Sequence, residues 1–142
     1  MSAETDVPEG YTPVPSFNPF GQLTGPLYER QDDDGSWVRG FRVAEKHTNR
    51  MKVAHGGMLM NFADIVLGRA VMDKRHDGFV TIRMTTDFVS PALLGTWVEG
   101  RAEVLCEDNG VFTIKGVISS RGKVVLNVSG LFKAVTPRPI LS

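Results

Sequence analysis

Two features of the sequence could carry chemistry, and the first is the run Ala54-His55-Gly56-Gly57, which opens a strongly apolar segment. If that segment is a helix, its first backbone N–H groups lack intrahelical acceptors. With the helix dipole, they can bind an anion or a polarised carbonyl oxygen. Glycine here lets a substrate approach the backbone closely, although the two glycines could also simply shape a tight loop.

Asp64 is the second feature, because it is a carboxylate surrounded in sequence by apolar residues. An ionised carboxylate is costly in an apolar environment unless it is paired or used in a reaction, and general-base catalysis is one such use. The alternative is a structural role, in which Asp64 binds a partner helix or Arg69. From the residues alone, both interpretations stay open.

Both features belong to the one long helix that the sequence predicts, from Gly56 to about Met72. Its residues are apolar almost all round the helical wheel, which is typical of a helix enclosed on most sides. At 100° per residue, a few small and polar residues fall within about 60° of one another. They form a narrow stripe, where the helix departs from pure packing: Gly57, Asn61, Asp64 and Gly68.

Strands are predicted on both sides of this helix. A strand pair precedes it, at Leu27–Gln31 and around Trp37–Val43, and about four antiparallel strands follow it, with turns at Asn109-Gly110 and Arg121-Gly122. The first of these four alternates strictly, which places one set of residues on each face: Val80, Ile82 and Met84 against Thr81, Arg83 and Thr85. The order predicts an α+β fold in which an antiparallel sheet of about five to six strands wraps one long central helix.

Length and composition limit the classes of protein to which this chain can belong. A chain of 142 residues fits one domain, which we place at residues 27–136 between an irregular N-terminal arm (1–26) and a C-terminal tail (137–142). The 16 basic and 16 acidic residues give a net charge of zero, which argues against a nucleic-acid partner. The single cysteine, Cys106, cannot form an intrachain disulfide and favours a reducing cytoplasm.

Several other functions receive no support from the sequence. The apolar segment 53–72 is long enough to suggest a membrane span, but its polar and charged residues are costly in hydrocarbon, so we expect no membrane insertion. The residues His47, His55 and Asp64 lack a recognised ligand spacing, so no metal site is predicted. The motifs of serine hydrolases, P-loop proteins and dinucleotide-binding enzymes are absent from the sequence.

A wider pattern resembles a known family, the hotdog-fold acyl-CoA thioesterases of the PaaI type, within the 4-hydroxybenzoyl-CoA thioesterase-like superfamily. The resemblance runs from about Phe41 to Val135. The residues that carry it are Asn49-Arg50-Met51-Lys52-Val53-Ala54-His55-Gly56-Gly57, then Asp64, Thr81, Ser90-Pro91 and Gly95. It implies a hotdog fold and hydrolysis of an acyl-CoA to the free acid and CoA, with no cofactor beyond the CoA of the substrate.

The resemblance also implies roles for individual residues. Gly56 would donate its backbone N–H to the thioester carbonyl, with the Asn49 side chain near the same oxygen. Asp64 would be the general base or nucleophile, and Thr81 would hold the attacking water. His55 would mainly orient its neighbours, and Lys52 stands where the family often has glycine.

Two further residues, Arg121 and Lys123, could contact the CoA phosphates, although they could also simply form a solvated turn.

Two other functions of the protein also remain open. One is a hydratase or dehydratase on the same fold, which would use His55 as an acid or base. The other is an acyl-CoA-binding module without catalysis.

Distance along the helix predicts that the site is shared between chains. Gly56 and Asp64 are eight residues apart, or about 12 Å along a helix axis, so one thioester carbon cannot touch both within one chain. Two antiparallel helices related by a two-fold axis would bring Gly56 of one chain beside Asp64 of the other. We therefore expect a homo-oligomer, a dimer at least, with a homotetramer of two dimers as the expected assembly.

Overall fold

The computed structural model describes residues 6–16 and 18–136. The first five residues of the predicted arm, its residue 17 and the predicted tail 137–142 lie outside the described residues. The elements in chain order are β1 (Thr12–Pro13), α1 (Pro19–Thr24), β2 (Tyr28–Gln31), β3 (Trp37–Arg42), α2 (Gly56–Met72), β4 (Phe79–Phe88), β5 (Trp97–Asp108), β6 (Val111–Ser120) and β7 (Lys123–Ala134).

The strands form one antiparallel sheet in the order β1-β2-β3-β5-β6-β7-β4. Helix α2 packs on one face of this sheet, and the core between them is almost entirely apolar, with Phe41, Phe62 and Phe132 among its largest buried side chains. The α+β hotdog architecture predicted from the sequence is therefore confirmed. No helix within residues 6–16 and 18–136 is long and apolar enough to cross a membrane.

The arm is more regular than the sequence pattern indicated. Its two-residue strand β1 pairs with β2 and brings the sheet to seven strands in the described residues, against the five to six predicted. Its helix α1 begins after Asn18, whose side chain accepts a hydrogen bond from the Gly21 N–H at 2.6 Å, and has Pro19 in its first turn. Both features favour a helix start. The helix is too short for hydrophobic periodicity to reveal it.

A β-bulge in β4 changes which residues face the helix. Thr81 pairs with Phe132 and Arg83 pairs with Leu131, so Ile82 is the extra residue. Beyond the bulge, Met84 pairs with Gly130. Because cross-strand partners share a face, and Phe132 and Gly130 both face α2, Thr81 and Met84 lie on the helix side together. The strict alternation predicted for this strand was wrong from Arg83 onward, since the bulge shifts the period by one residue.

Helix α2 has the predicted bounds, but the single chain covers it less completely than its composition indicated. Met60 and Met72 are 41% and 38% exposed, respectively. Three members of the predicted stripe, Gly57, Asn61 and Asp64, lie on this less covered side and are exposed or half-buried. Gly68 is instead buried, and an added Cβ would lie 3.5 Å from the Phe79 ring. The stripe therefore divides between the surface and the core.

Two glycines at the contact between α2 and the sheet should respond oppositely to alanine. In Gly68→Ala the new methyl makes ordinary contacts, and the helix gains about 0.5–1 kcal/mol from the lost glycine flexibility. In Gly100→Ala the new methyl would lie 2.6 Å from Val66 Cγ2, and overpacking should cost about 1–3 kcal/mol. Urea unfolding of both variants measures this, and equal destabilisation of the two would contradict the packing described for Gly68.

Candidate active site

The start of α2 presents an open backbone donor. His55 is the N-cap residue, and its Nδ1 accepts a hydrogen bond from the Gly57 N–H at 2.8 Å. The neighbouring Gly56 N–H has no hydrogen-bond acceptor among the described residues. A Cβ added to Gly56 would lie 3.4 Å from the ring of Phe88 at the end of β4. The Gly56 N–H can therefore bind an external oxygen beside an aromatic ring that the sequence analysis did not identify.

The loop before α2 places Asn49 beside this helix start. Thr48 and Ala54 form an antiparallel bridge, and the Asn49 N–H donates to the Val53 carbonyl at 3.0 Å. The Asn49 Oδ1 accepts a hydrogen bond from the Met51 N–H at 2.9 Å. Lys52 takes a left-handed conformation with φ of 62°, a region in which glycine is favoured. The loop thus adopts a glycine-like turn even though a lysine occupies it.

Asp64 meets Thr81 across the space between α2 and β4. The Thr81 hydroxyl donates a hydrogen bond to Asp64 Oδ1 at 2.6 Å. Asp64 is half-buried rather than enclosed by apolar residues, because it lies on the less covered side of α2. Its Oδ2 has no hydrogen-bond partner in the described part of the chain. One carboxylate oxygen is therefore oriented by Thr81, and the other is available to a ligand.

Arg69 is not the partner of Asp64, so this part of the structural alternative was wrong, and the other part, a bond to a partner helix, stays a prediction. Its guanidinium forms an ion pair with Asp73 at 2.9 Å and lies 3.8 Å from the carboxylate of Glu29. It also stacks on the ring of Trp37, with 4.4 Å between the guanidinium carbon and the ring centre. These contacts hold Arg69 away from Asp64.

A cavity of about 650 Å³ opens beside Asp64, between the N-terminal arm and α2. Asn61 and Ile65 line it from the helix, and Arg39 lines it from β3. Burial lowers the pKa of Arg39, an effect that the ion pair with Glu29 at 3.1 Å opposes. The charge of Arg39 is thus matched inside the protein, and Lys46 also lines the cavity.

The predicted site residues fall into two groups within one chain. Asp64 and Thr81 form one group, and Gly56, His55 and Asn49 form the other. The helix separates Gly56 from Asp64 by about 12 Å. The cavity beside Asp64 does not include Gly56 in its lining.

Arg121 and Lys123 lie at the exposed turn between β6 and β7. This turn is at the same end of the sheet as the start of α2, because Phe88 pairs with Leu126 and the Ser90 hydroxyl donates to the Val124 carbonyl at 2.5 Å. Lys123 is three residues from Leu126, or about 10 Å along a strand. A long ligand could reach from the Gly56 N–H to this turn.

His47, the other histidine considered as a metal ligand, has a structural role. It is buried, its Nδ1 accepts from the Ala44 N–H at 2.9 Å, and its Nε2 lies 2.6 Å from the Thr24 carbonyl oxygen. Within residues 6–16 and 18–136, no three His, Cys, Asp or Glu side chains are grouped closely enough to hold a metal ion.

Comparison with known proteins places the chain in a family. Residues 51–126 match the family model of the Thioesterase superfamily. A Pseudomonas aeruginosa protein, provisionally named an esterase, is 33% identical over 129 residues, which cover 89% of this chain and 96% of that protein. The chain belongs to the thioesterase superfamily. The thioester hydrolase class predicted from the sequence is confirmed.

Solved structures support the same assignment of this thioesterase. A mutant of the phenylacetic acid degradation protein PaaI from Thermus thermophilus is 25% identical, with a TM-score of 0.73, and the match covers 83% of this chain and 100% of that chain. BH2602 from Bacillus halodurans, solved with CoA, is 21% identical, with a TM-score of 0.71, and the match covers 78% of this chain and 74% of that chain. The second likeness shows the fold alone. The predicted resemblance to PaaI-type proteins is confirmed.

Substitution of His55 separates a capping role from an acid or base role. His55→Ala removes the N-cap acceptor and should lower the free energy of unfolding by about 1 kcal/mol. His55→Asn supplies another capping oxygen, so it should restore both stability and the rate of thioester hydrolysis. Urea unfolding and steady-state kinetics measure the two effects. A stable His55→Asn variant that stays as slow as His55→Ala would show that the imidazole itself takes part in the chemistry.

Proposed function

We propose that this thioesterase hydrolyses an acyl-CoA to the free acid and CoA, with Asp64 as the general base. The observation that carries the proposal is the hydrogen bond from Thr81 to Asp64 Oδ1 at the wall of the large cavity, which leaves Oδ2 open. A carboxylate fixed in this way can take a proton from a water molecule in the cavity. The CoA bound to the Bacillus halodurans protein supports CoA as part of the substrate.

The proposed reaction uses Asp64 twice. A water molecule that donates to Asp64 Oδ2 and to the lone pairs of the Thr81 hydroxyl attacks the thioester carbonyl carbon, and Asp64 takes one of its protons. The carbonyl electrons move onto oxygen and return when the carbon–sulfur bond breaks. The CoA sulfur then leaves with the proton that Asp64 holds. Thr81 acts as a positioning residue, because it fixes both the carboxylate and the water.

The negative charge that develops on the carbonyl oxygen needs a hydrogen-bond donor. The chain that supplies Asp64 does not place its own Gly56 N–H near that oxygen. The Gly56 N–H is such a donor, since it is open and lies at the positive end of the α2 dipole. Asn49, in the loop beside it, has an amide nitrogen that its bond to Met51 leaves available. We infer that Gly56 and Asn49 of a second copy complete the site.

The free edge of β4 offers a way to build that dimer. In the described sheet β4 pairs only with β7, so its outer edge is unpaired along ten residues. On its outer face Val80 and Ile82 are 48% and 51% exposed. Long exposed edges of this kind favour pairing with another chain.

A two-fold axis at Thr85 would pair Met84 with Thr86 of the second copy. With Ile82 as the extra residue, it would set Thr81 of one β4 opposite Phe88 of the other. Since Phe88 lies against Gly56, this pairing brings Asp64 and Gly56 of different chains together. A tetramer of two such dimers stays a prediction.

The turn that carries Arg121 and Lys123 is the proposed site for the CoA phosphates. Both side chains are exposed and form no ion pair in the described part of the chain. Their cationic groups suit phosphate oxygens, and the turn lies at the sheet end that holds the Gly56 N–H.

The proposed reaction takes place in water and needs no group beyond the substrate's CoA. Every step uses side chains and backbone groups of the protein itself. Cys106 is a free, exposed thiol, which suits the reducing cytoplasm that we propose as the compartment of this protein.

A hydratase or dehydratase function receives less support, because His55 caps α2 with the ring nitrogen that would otherwise serve as a base.

Substitution of Asp64 tests the proposed function directly. Asp64→Asn preserves shape but cannot accept the proton from water, so kcat for CoA release should fall by about a hundredfold or more, with KM little changed. Thr81→Val should also lower kcat, while Thr81→Ser, which keeps the hydroxyl, should recover it without a change in melting temperature. Near-normal turnover by a folded Asp64→Asn protein would contradict the proposal.

A further inference from the structure

Helix α1 stands between two cavities that both reach α2. The larger, of about 650 Å³, contains Asp64 and Ile65 in its lining. The smaller, of about 240 Å³, lies toward the start of α2 and contains Gly57 and Met58. Phe20 of α1 borders both cavities. Its ring therefore lies at the boundary between the two spaces.

The backbone of α1 is held in place although its side chains are not part of the core. The Thr24 carbonyl oxygen lies 2.6 Å from Nε2 of the buried His47, and the Thr24 hydroxyl accepts from the Asn61 amide at 3.4 Å. None of the six residues of α1 is buried, and Phe20 is 59% exposed. Its aromatic ring thus contributes little to the core, while the helix that carries it is anchored beside the larger cavity.

The boundary between the two cavities lies about one helical turn from the proposed base. Asn61 borders both cavities, as Phe20 does, and lies three residues before Asp64 on α2. That spacing is about 5 Å along the helix axis. An acyl chain with its thioester at Asp64 that extends toward the start of α2 therefore meets Phe20 after only a few carbon atoms.

We propose that Phe20 contacts the acyl group of the substrate and limits its length, so that the protein selects short, apolar acyl groups over long ones. This inference rests on the proposed thioesterase reaction at Asp64. An aromatic ring offers a large apolar surface and loses little side-chain freedom when a ligand covers it, which suits it to this contact. A chain longer than the larger cavity allows must displace the ring or stay in water.

Removal of the ring should join the two cavities. The wild-type protein should have a higher kcat/KM for hexanoyl-CoA than for dodecanoyl-CoA. In Phe20→Ala the ratio of dodecanoyl-CoA to hexanoyl-CoA should rise by about tenfold or more. Leu23→Ala is the matched control, because Leu23 lies on the same helix, is 72% exposed and borders only the smaller cavity. Its ratio should change by less than about twofold.

Binding gives a readout that does not depend on turnover. The thioethers S-hexyl-CoA and S-dodecyl-CoA cannot be hydrolysed, and titration calorimetry measures their affinities for the wild-type and variant proteins. Phe20→Ala should shift the affinity ratio toward S-dodecyl-CoA, in parallel with the kinetic ratio. An unchanged affinity ratio in a Phe20→Ala protein with wild-type melting temperature would overturn this inference alone. A wild-type protein that binds the thioethers but releases no CoA from either thioester would instead overturn the proposed function.

Discussion

The distance between Gly56 and Asp64 on one rigid helix is the constraint on which the rest of the account depends. The helix is packed along its length against the sheet, so the two residues cannot approach each other by bending. One offers an open N–H at the positive end of the helix, and the other offers a carboxylate about 12 Å away. The proposed hydrolysis uses both kinds of group at one carbonyl. The proposed chemistry therefore requires a second copy of the chain.

Strand β4 connects the proposed base with the proposed dimer contact. Its helix-facing side carries Thr81, which orients Asp64, and ends at Phe88, which lies against Gly56. Its outer face is apolar and exposed at Val80 and Ile82, and its outer edge has no partner in the described sheet. An edge strand with these properties favours aggregation of a monomer, but in a dimer it can pair with the same strand of the second copy. The same strand can thus position the proposed base and pair with a second copy.

The sequence predicts the parts of this structure that depend on local signals. The bounds of α2 follow from the His-Gly-Gly start and the long apolar run, and the turns follow from Asn109-Gly110 and Arg121-Gly122. The bulge at Ile82 depends on pairing with β7, which is distant in sequence, so alternation alone misplaced Met84. The exposure of Asp64 likewise depends on which side of α2 the sheet covers. Phe20 was missed because the short helix that carries it has too few residues for periodicity.

The measurement that tests the shared site most directly is complementation between inactive subunits. Asn49→Ala and Asp64→Asn proteins, unfolded and refolded together, should form mixed dimers in which one of the two sites is intact. At random pairing, the mixture should recover about a quarter of wild-type activity, as a site built from two chains requires. If native mass spectrometry shows mixed dimers but the mixture stays as inactive as either parent, Asn49 and Asp64 do not meet across the interface, and the shared site is contradicted.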